Sequence, residues 1–235
     1  MNRRLFIASA ILPTIAGCGV LTPHHDVRFK LSVSAVVRGR PFVGSTIYKI
    51  RWVDTALLAG FDAMRKWEAS RYGDALVVDF KKDGLLFGLW EEFLGIPAGF
   101  RGISDEYLPL LPKPELSSSL YKSGEIFEQL KKSQKICTLR PEQRPVFIRF
   151  KNIHDIRSAE RITADNFSDV YGPDSQLGNT TLEICDAPIN RGIENRLPFW
   201  EEIGRFKIDQ KASPLSLPLY ERLLKTNFVI DGIPS

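Results

Sequence analysis

The chain has 235 residues, of which 43% are hydrophobic and 26% charged, an ordinary composition for a folded globular protein. Its 32 Lys and Arg stand against 28 Asp and Glu, which gives a formal charge of +4. A balance this small argues against a nucleic-acid-binding protein and offers no strong sign of a polybasic membrane patch.

The first 17 residues have the layout of a bacterial export signal. Arg3 and Arg4 form a short basic region, and residues 5–17 are uncharged and mostly apolar. This run fits the roughly 7–15 residues of a signal-peptide core and falls short of the ~18–20 that span a bilayer. Pro13 interrupts it further, because proline breaks a helix interior. We therefore predict a signal peptide over residues 1–17.

The signal ends in a specific pattern. Residues 15–18, Ile-Ala-Gly-Cys, resemble the lipobox of bacterial lipoproteins: a branched apolar residue, two small residues and a cysteine. The resemblance implies that Cys18 is lipidated, that the chain is cut after Gly17 and that the new amino group is acylated. Each buried methylene contributes about 0.8 kcal/mol, so several acyl chains hold a protein stably on a membrane. An uncleaved anchor, an ordinary secretory signal and a chance apolar start are the alternatives.

The predicted location is the cell envelope, with the chain facing the periplasm and bound to membrane lipid through Cys18. Residues 3–7 (RRLFI) resemble a twin-arginine export motif, but the basic region is very short, which favours the general secretory route. Gly19 follows Cys18, where an aspartate would favour the inner membrane in enteric bacteria. This slightly favours the outer membrane. Cleavage would leave 30 basic against 28 acidic side chains, a formal charge of +2.

After a predicted tether over residues 18–26, strand patterns dominate. Residues 27–37 alternate apolar and polar side chains, and a second such run over 42–53 follows a turn, which predicts a β-hairpin. Residues 75–80 and 85–90 flank the turn Lys-Lys-Asp-Gly and predict a second hairpin. Further strands are predicted over 144–151, 159–162 and 180–186.

Helical patterns are fewer. Asp54 or Thr55 could cap a helix over residues 56–69, and a helical stretch is predicted to end at about Lys132, after a long loop over 91–116. Asp165 could cap a short helix that ends at Gly172. Prolines divide the last fifty or so residues into short helical turns. Together, the predicted strands and helices indicate a β-rich α+β domain over residues 27–235, with antiparallel hairpins and a few short helices.

Three sets of stretches carry a family resemblance. They are 28–33 (RFKLSV) with 44–47 (GSTI); 73–80 (GDALVVDF); and 144–150 (RPVFIRF) with 171–173 (YGP) and 192–200 (GIENRLPFW). These stretches resemble an uncharacterised group of proteobacterial proteins that has no assigned activity. The resemblance implies one continuous domain and supplies no catalytic residue to carry over.

Two cysteines, Cys137 and Cys185, remain after Cys18. In an oxidising periplasm they could form a disulfide, which would close a long loop and contribute ~3–5 kcal/mol in the chain-entropy model. The alternative is two separate thiols that pack as small apolar groups. Neither stands in a Cys-x-x-Cys motif, and a cysteine nucleophile would need a base from His154, the sole histidine of the body.

Other chemistry-bearing residues form no familiar pattern. His24 and His25 could bind a metal, yet an adjacent pair without further ligands at suitable spacing falls short of a site. Carboxylate pairs that are adjacent in sequence are typical of a solvated face; they stand at 91–92, 105–106 and 201–202. No phosphate-binding loop and no Gly-x-Ser-x-Gly elbow is present, so no cofactor or metal is predicted.

The segment 192–200 joins Glu194, Arg196 and two aromatic residues, and could be a partner-binding patch. Burial in the core is the favoured alternative, since large aromatic residues are usually buried. We expect a non-enzymatic envelope lipoprotein, which is a binding, assembly or accessory module tethered to a membrane, with an envelope protein as its candidate partner. The alternatives are an envelope hydrolase that uses Asp and Glu acid–base chemistry, and a small-ligand carrier with an apolar cavity of at least ~300 Å³.

Overall fold

A long β-hairpin forms the centre of the fold. In the computed structural model, the described residues are 24–54, 67–89, 128, 131–132, 136–204 and 218–234. β1 (His24–Val37) pairs with β2 (Arg40–Asp54) along its whole length. From Val27 onward every second side chain of β1 is buried, because alternate side chains point to opposite faces of a sheet. The predicted first hairpin is confirmed.

The hairpin belongs to a sheet with six described strands, called the first sheet. Its order is β10-β3-β2-β1-β9-β6, and every described pairing in it is antiparallel. The four further strands are β3 (Trp67–Asp74), β6 (Ile136–Thr138), β9 (Gln176–Ile184) and β10 (Val229–Pro234). β1 is therefore central, with a long partner on each side.

A second, smaller sheet has four described strands in the order β4-β5-β7-β8, again antiparallel. The strands are β4 (Leu76–Asp79), β5 (Leu85–Leu89), β7 (Val146–Phe150) and β8 (Ala159–Ile162). A 3-10 turn, Lys81–Asp83, joins β4 to β5. The predicted second hairpin is confirmed, and so are the strands predicted over 144–151 and 159–162, which form β7 and β8.

The two sheets meet where β3 passes into β4, at a point called here the sheet junction (Gly44, Thr46, Asp74 and Ile193). Gly44 lies so close to β4 that an added Cβ would be 2.5 Å from the carbonyl oxygen of Val77. The Thr46 hydroxyl donates to the carbonyl oxygen of Asp74 at 2.9 Å, and the Asp74 carboxylate accepts the Ile193 N–H at 3.0 Å. Three distant segments are thus joined at one buried place.

Both faces of the second sheet are buried. Val78 and Leu86 lie on the face toward the first sheet, whereas Phe87 lies on the other face. On that other face Phe87 contacts Phe150 and Phe228, with ring centroids 5.7 and 6.0 Å apart. The buried apolar residues form one continuous core that includes side chains of both sheets and of the C-terminal segment.

Three short helices are described: α1 (Phe167–Tyr171), α2 (Leu219–Arg222) and α3 (Lys225–Phe228). The structure is thus mostly β, with antiparallel sheets and few short helices, as the sequence pattern predicts. Gly172 ends α1 with φ +95°, a conformation that favours glycine. Among the helices that the structure describes, none is long and apolar enough to cross a membrane.

Several predicted boundaries were wrong. β1 begins at His24, so residues 24–26 belong to the sheet and not to the tether. Residues 67–69 of the predicted helix over 56–69 are strand β3, and 55–66 lie outside the described residues. The N-cap of α1 is Asn166 and not Asp165, and the Asn166 side chain accepts the Thr163 N–H instead of capping the helix.

Besides β3, two further described strands were not predicted. β6 has only three residues, and β10 contains Gly232 and Pro234, which lower strand propensity, with a register shift beside Gly232. The loop predicted over 91–116 lies outside the described residues, whereas Glu128, Lys131 and Lys132 are helical, as predicted for that stretch.

Candidate functional site

A charged cleft of about 350 Å³ opens at one end of the first sheet, where β1 begins and β9 ends. We call it the β1–β9 cleft. Its lining residues are Asp26, Val27, Arg28, Lys131, Ile184, Cys185 and Asp186. The antiparallel pairing of Phe29 with Ile184 brings the two strand ends together. The volume suits a small ligand, but the mostly charged lining suits a polar one rather than an apolar one.

Arg28 and Lys131 are the exposed cations of the β1–β9 cleft among the described residues. The Arg28 guanidinium donates to the carbonyl oxygen of Asp186 at 3.0 Å, and the Cys185 N–H donates to the carbonyl oxygen of Arg28 at 3.1 Å. These two bonds continue the β1–β9 ladder past its last paired residue. Within the described residues, Arg28 makes no ion pair with a carboxylate, so its remaining N–H groups are available to a ligand.

Asp26 in the same cleft is already bound. Arg51 donates to both of its carboxylate oxygens, at 2.8 and 2.9 Å, and the Lys49 ammonium lies 3.5 Å from one of them. Lys49 also lies 4.4 Å from the centre of the Tyr72 ring. The hydrogen bonds from Arg51 hold the pKa of Asp26 below its ordinary value, although partial burial opposes this. A carboxyl group held in this way is a poor general acid.

We expect the change Arg51→Gln to raise the pKa of Asp26 toward its ordinary value. Because the pKa is depressed in the folded state, the pair stabilises the protein above the unfolded pKa of about 4, and this stability is lost as pH falls through the folded pKa. The loss at neutral pH should be under about 1 kcal/mol, since solvent reaches the pair and screens it. A carbon NMR titration of Asp26, with urea unfolding at pH 7 and at pH 3, measures both effects.

Arg40→Gln is the matched control, because Arg40 is an exposed arginine of the same strand. It should leave the pKa of Asp26 unchanged. An Asp26 titration that is identical in Arg51→Gln and in the unaltered protein would contradict the assigned cause.

The two predicted cysteines are free thiols and are not brought together. Cys137 lies opposite Leu182 in the β6–β9 pairing, whereas Cys185 follows Leu182 by three residues. Since successive side chains alternate between faces, the two thiols lie on opposite faces of the sheet. Burial raises the pKa of both thiols, which lowers the fraction of the reactive thiolate. Neither has the surroundings of an activated nucleophile.

The histidines form no metal site among the described residues: His24 and His25 are adjacent on β1, where successive side chains point to opposite faces, and His154 belongs to another segment. His25 Nδ1 is 3.5 Å from a carboxylate oxygen of Glu128, His24 is exposed at the start of β1, and His154 is exposed in the turn after β7. Among the described residues, no three His, Cys, Asp or Glu side chains are grouped as metal ligands. Cys18 and the signal peptide predicted over residues 1–17 lie outside the described residues.

The predicted carboxylate pairs give no acid–base site in the described part of the chain. Glu201 and Glu202 are exposed, and Glu201 is 3.2 Å from the Lys225 ammonium. The pairs at 91–92 and 105–106 lie outside the described residues. Asp74 is the buried carboxylate that the sequence did not single out, and it serves the sheet junction rather than a cleft.

The segment 192–200 packs into the core, as the favoured alternative predicted. Leu197 and Phe199 are buried, and the Phe199 ring lies 4.6 Å from that of Phe150. Glu194 and Arg196 are exposed at its outer side. The aromatic residues therefore hold the C-terminal region against the second sheet.

Comparisons with known proteins give no further guide. No protein-family model matches the chain, and no curated protein and no solved structure matches it. The function therefore has to be argued from the residues of this chain alone.

Proposed function

We propose that the chain is a lipid-anchored lipoprotein of the bacterial cell envelope. Residues 1–17 are its signal peptide, Cys18 carries the lipid, and the chain from His24 onward is one α+β domain on the periplasmic side. That domain is a non-enzymatic binding or assembly module. The observation that carries the proposal is the Ile-Ala-Gly-Cys motif at residues 15–18, at the end of an uncharged run that follows two arginines.

The start of β1 supports a module that works close to a membrane. His24, the first residue of β1, follows Cys18 by six positions. A chain extends by at most about 3.6 Å per residue, so six residues reach about 20 Å. Lipid on Cys18 would therefore hold this end of the first sheet near the headgroups.

The carboxyl groups of Asp26 and Asp74 support a binding role for the domain rather than a hydrolase activity. A carboxylate pair that cleaves glycosidic bonds needs one group with a raised pKa, whereas the pKa of Asp26 is lowered. Asp74 is bonded to a backbone N–H within the sheet junction. The volume and the charged lining of the β1–β9 cleft support the proposal that the module binds a small polar ligand.

The change Cys18→Ser should abolish incorporation of a fatty-acid probe, because serine lacks the thiol that receives diacylglycerol. Cells that express the full chain are fed an alkyne fatty acid, and the purified protein is assayed for label and for mass. The unaltered protein should carry label and lack residues 1–17. The Cys18→Ser protein should carry none and keep its signal peptide.

Cys137→Ser and Cys185→Ser are the matched controls, since each removes a cysteine and leaves the motif intact; both should be labelled fully. Equal labelling of Cys18→Ser and the unaltered protein would overturn the anchor. Release of soluble fragments from cell-wall material or lipid by the purified protein would overturn the non-enzymatic role.

A further inference from the structure

We propose that the β1–β9 cleft binds the zwitterionic headgroup of a membrane phospholipid, with its phosphate at Arg28 and Lys131 and its ammonium at Asp186. This inference rests on the proposed function, because the lipid on Cys18 is what brings the cleft to the membrane. It names the ligand of the module, a phosphate ester that carries a primary ammonium group.

The position of the cleft suits this ligand. Asp26 and Arg28 follow Cys18 by eight and ten residues, and β1 begins between them and the anchor. A strand rises about 3.4 Å per residue, so Arg28 lies only about 14 Å along β1 from His24. The short segment before β1 therefore allows the cleft to reach the headgroup layer.

The cations of the cleft are free to hold a phosphate. The single negative charge of Asp26 is paired with the two positive charges of Arg51 and Lys49. These three side chains together therefore carry a net positive charge. Arg28 has no carboxylate partner in the described part of the chain, and a guanidinium binds phosphate oxygens through two parallel N–H groups. The Lys131 ammonium lies 3.0 Å from a Glu128 oxygen and keeps further N–H donors for a second contact.

The carboxylate of Asp186 lines the same cleft as these two cations. Asp186 is exposed at the cleft, its carbonyl oxygen accepts from Arg28, and its carboxylate makes no ion pair with any described residue. A bare phosphate would be repelled by this carboxylate, whereas a headgroup that ends in an ammonium would be held by it. Opposite charges at one cleft thus favour a zwitterion over an anionic headgroup. The Asp186 carboxylate can accept N–H hydrogen bonds from a primary ammonium but none from the trimethylammonium of phosphatidylcholine, which therefore serves as the weakly bound reference.

The cleft needs only a modest affinity for the headgroup, because the proposed anchor would keep it close to the membrane. Its volume of about 350 Å³ is near the lower limit of small-molecule sites, which are about 300–1,000 Å³, so it suits a headgroup rather than acyl chains. A short tether raises the effective concentration of headgroups to the millimolar range or above. A site with a dissociation constant near a millimolar would therefore be occupied at the membrane.

Cys185 lines the cleft and serves as a built-in reporter. The native lipoprotein is placed in nanodiscs of phosphatidylcholine alone, or with phosphatidylethanolamine or phosphatidylglycerol added. The rate of Cys185 modification by a small maleimide is measured at one pH, with Cys137 on the opposite face as reference. Phosphatidylethanolamine should slow Cys185 about tenfold, as expected for a ligand at ten times its dissociation constant, and leave Cys137 unchanged.

Arg28→Gln should remove this protection, whereas Arg40→Gln, an exposed arginine outside the cleft, should keep it. Asp186→Asn should remove the preference for phosphatidylethanolamine over phosphatidylglycerol. Equal Cys185 rates in all three discs would overturn the site. Equal protection by phosphatidylglycerol in the unaltered protein would overturn the zwitterionic assignment.

A second arm separates this inference from the anchor. Detergent-solubilised protein is mixed with phosphoethanolamine, phosphocholine or inorganic phosphate, and the same rate is measured. Protection by phosphoethanolamine alone supports the site whether or not Cys18 is lipidated, and equal protection by inorganic phosphate overturns the lipid assignment. Maleimide reaction at Cys18 itself, or failure of the protein to enter nanodiscs, counts against the proposed anchor alone.

Discussion

Replacing Asp74 with alanine should lower the free energy of unfolding by about 2–4 kcal/mol. Asp74 is only 4% exposed, and one carboxylate oxygen accepts the Ile193 N–H at 3.0 Å. Without the carboxylate, the buried Ile193 N–H loses its side-chain acceptor, which costs about 1–3 kcal/mol. The cavity left by the missing side-chain atoms lowers the stability further. Urea unfolding at neutral pH, followed by circular dichroism, measures the loss.

Asp74→Asn is the informative companion, because the amide keeps the shape and one acceptor oxygen; it should cost clearly less than the alanine variant. Asp79→Ala is the matched control in the neighbouring strand. Its side chain is 41% exposed and, among the described residues, it bonds only to Lys81, so about 1 kcal/mol or less should be lost. Equal stability of the alanine and asparagine variants would show that Asp74 does not hold the sheet junction.

Phe87→Ala should cost about 3–5 kcal/mol, the usual range for removing a buried aromatic ring. Phe87 is fully buried, and its ring makes edge contacts with Phe150 and Phe228. The three rings join the second sheet to the C-terminal segment, so the truncation removes packing on both sides at once. The midpoint and slope of urea unfolding give the change in stability.

Phe87→Leu serves as the graded control, because leucine keeps much of the apolar volume and should lose far less than alanine. Val77→Ala, at a half-buried position on the same face, should also lose less. A Phe87→Ala protein within about 1 kcal/mol of the unaltered chain would contradict the packing described for this face.

The hairpins could be predicted because their information is local. In β1, alternation from Val27 to Val37 and the turn at Arg38 and Gly39 specify the pairing without any distant residue. The 3-10 turn at Lys81–Asp83 is equally local. Short edge strands such as β6 lack such signals, since three residues show no period and depend on β9 for their pairing.

The candidate site could be predicted only in part. The Ile-Ala-Gly-Cys stretch at residues 15–18 is contiguous, so the proposed lipidation of Cys18 can be inferred from the sequence pattern alone. The β1–β9 cleft cannot, because Arg28 and Asp186 are 158 positions apart and meet only through strand pairing. Arg28 looks like any polar residue on the outer side of a strand, and nothing in the sequence indicates that it has no carboxylate partner among the described residues.

Residues from all three sets of stretches that carry the family resemblance lie at the sheet junction. Gly44 and Thr46 come from the first set, Asp74 from the second and Ile193 from the third, and all four meet at the sheet junction. Gly44 permits the close approach of β4, and Asp74 bonds the Ile193 backbone. These stretches therefore include residues that join the two sheets.

The central place of β1 has a mechanical consequence. If the membrane tether enters at His24, any pull between the bilayer and a bound partner is applied along the 14 residues of this strand. β2 and β9 are hydrogen-bonded to β1 on its two sides, so the load is applied in shear to both ladders together rather than peeling one bond at a time. In this arrangement, the proposed anchor would pull on a strand that is hydrogen-bonded along both of its sides.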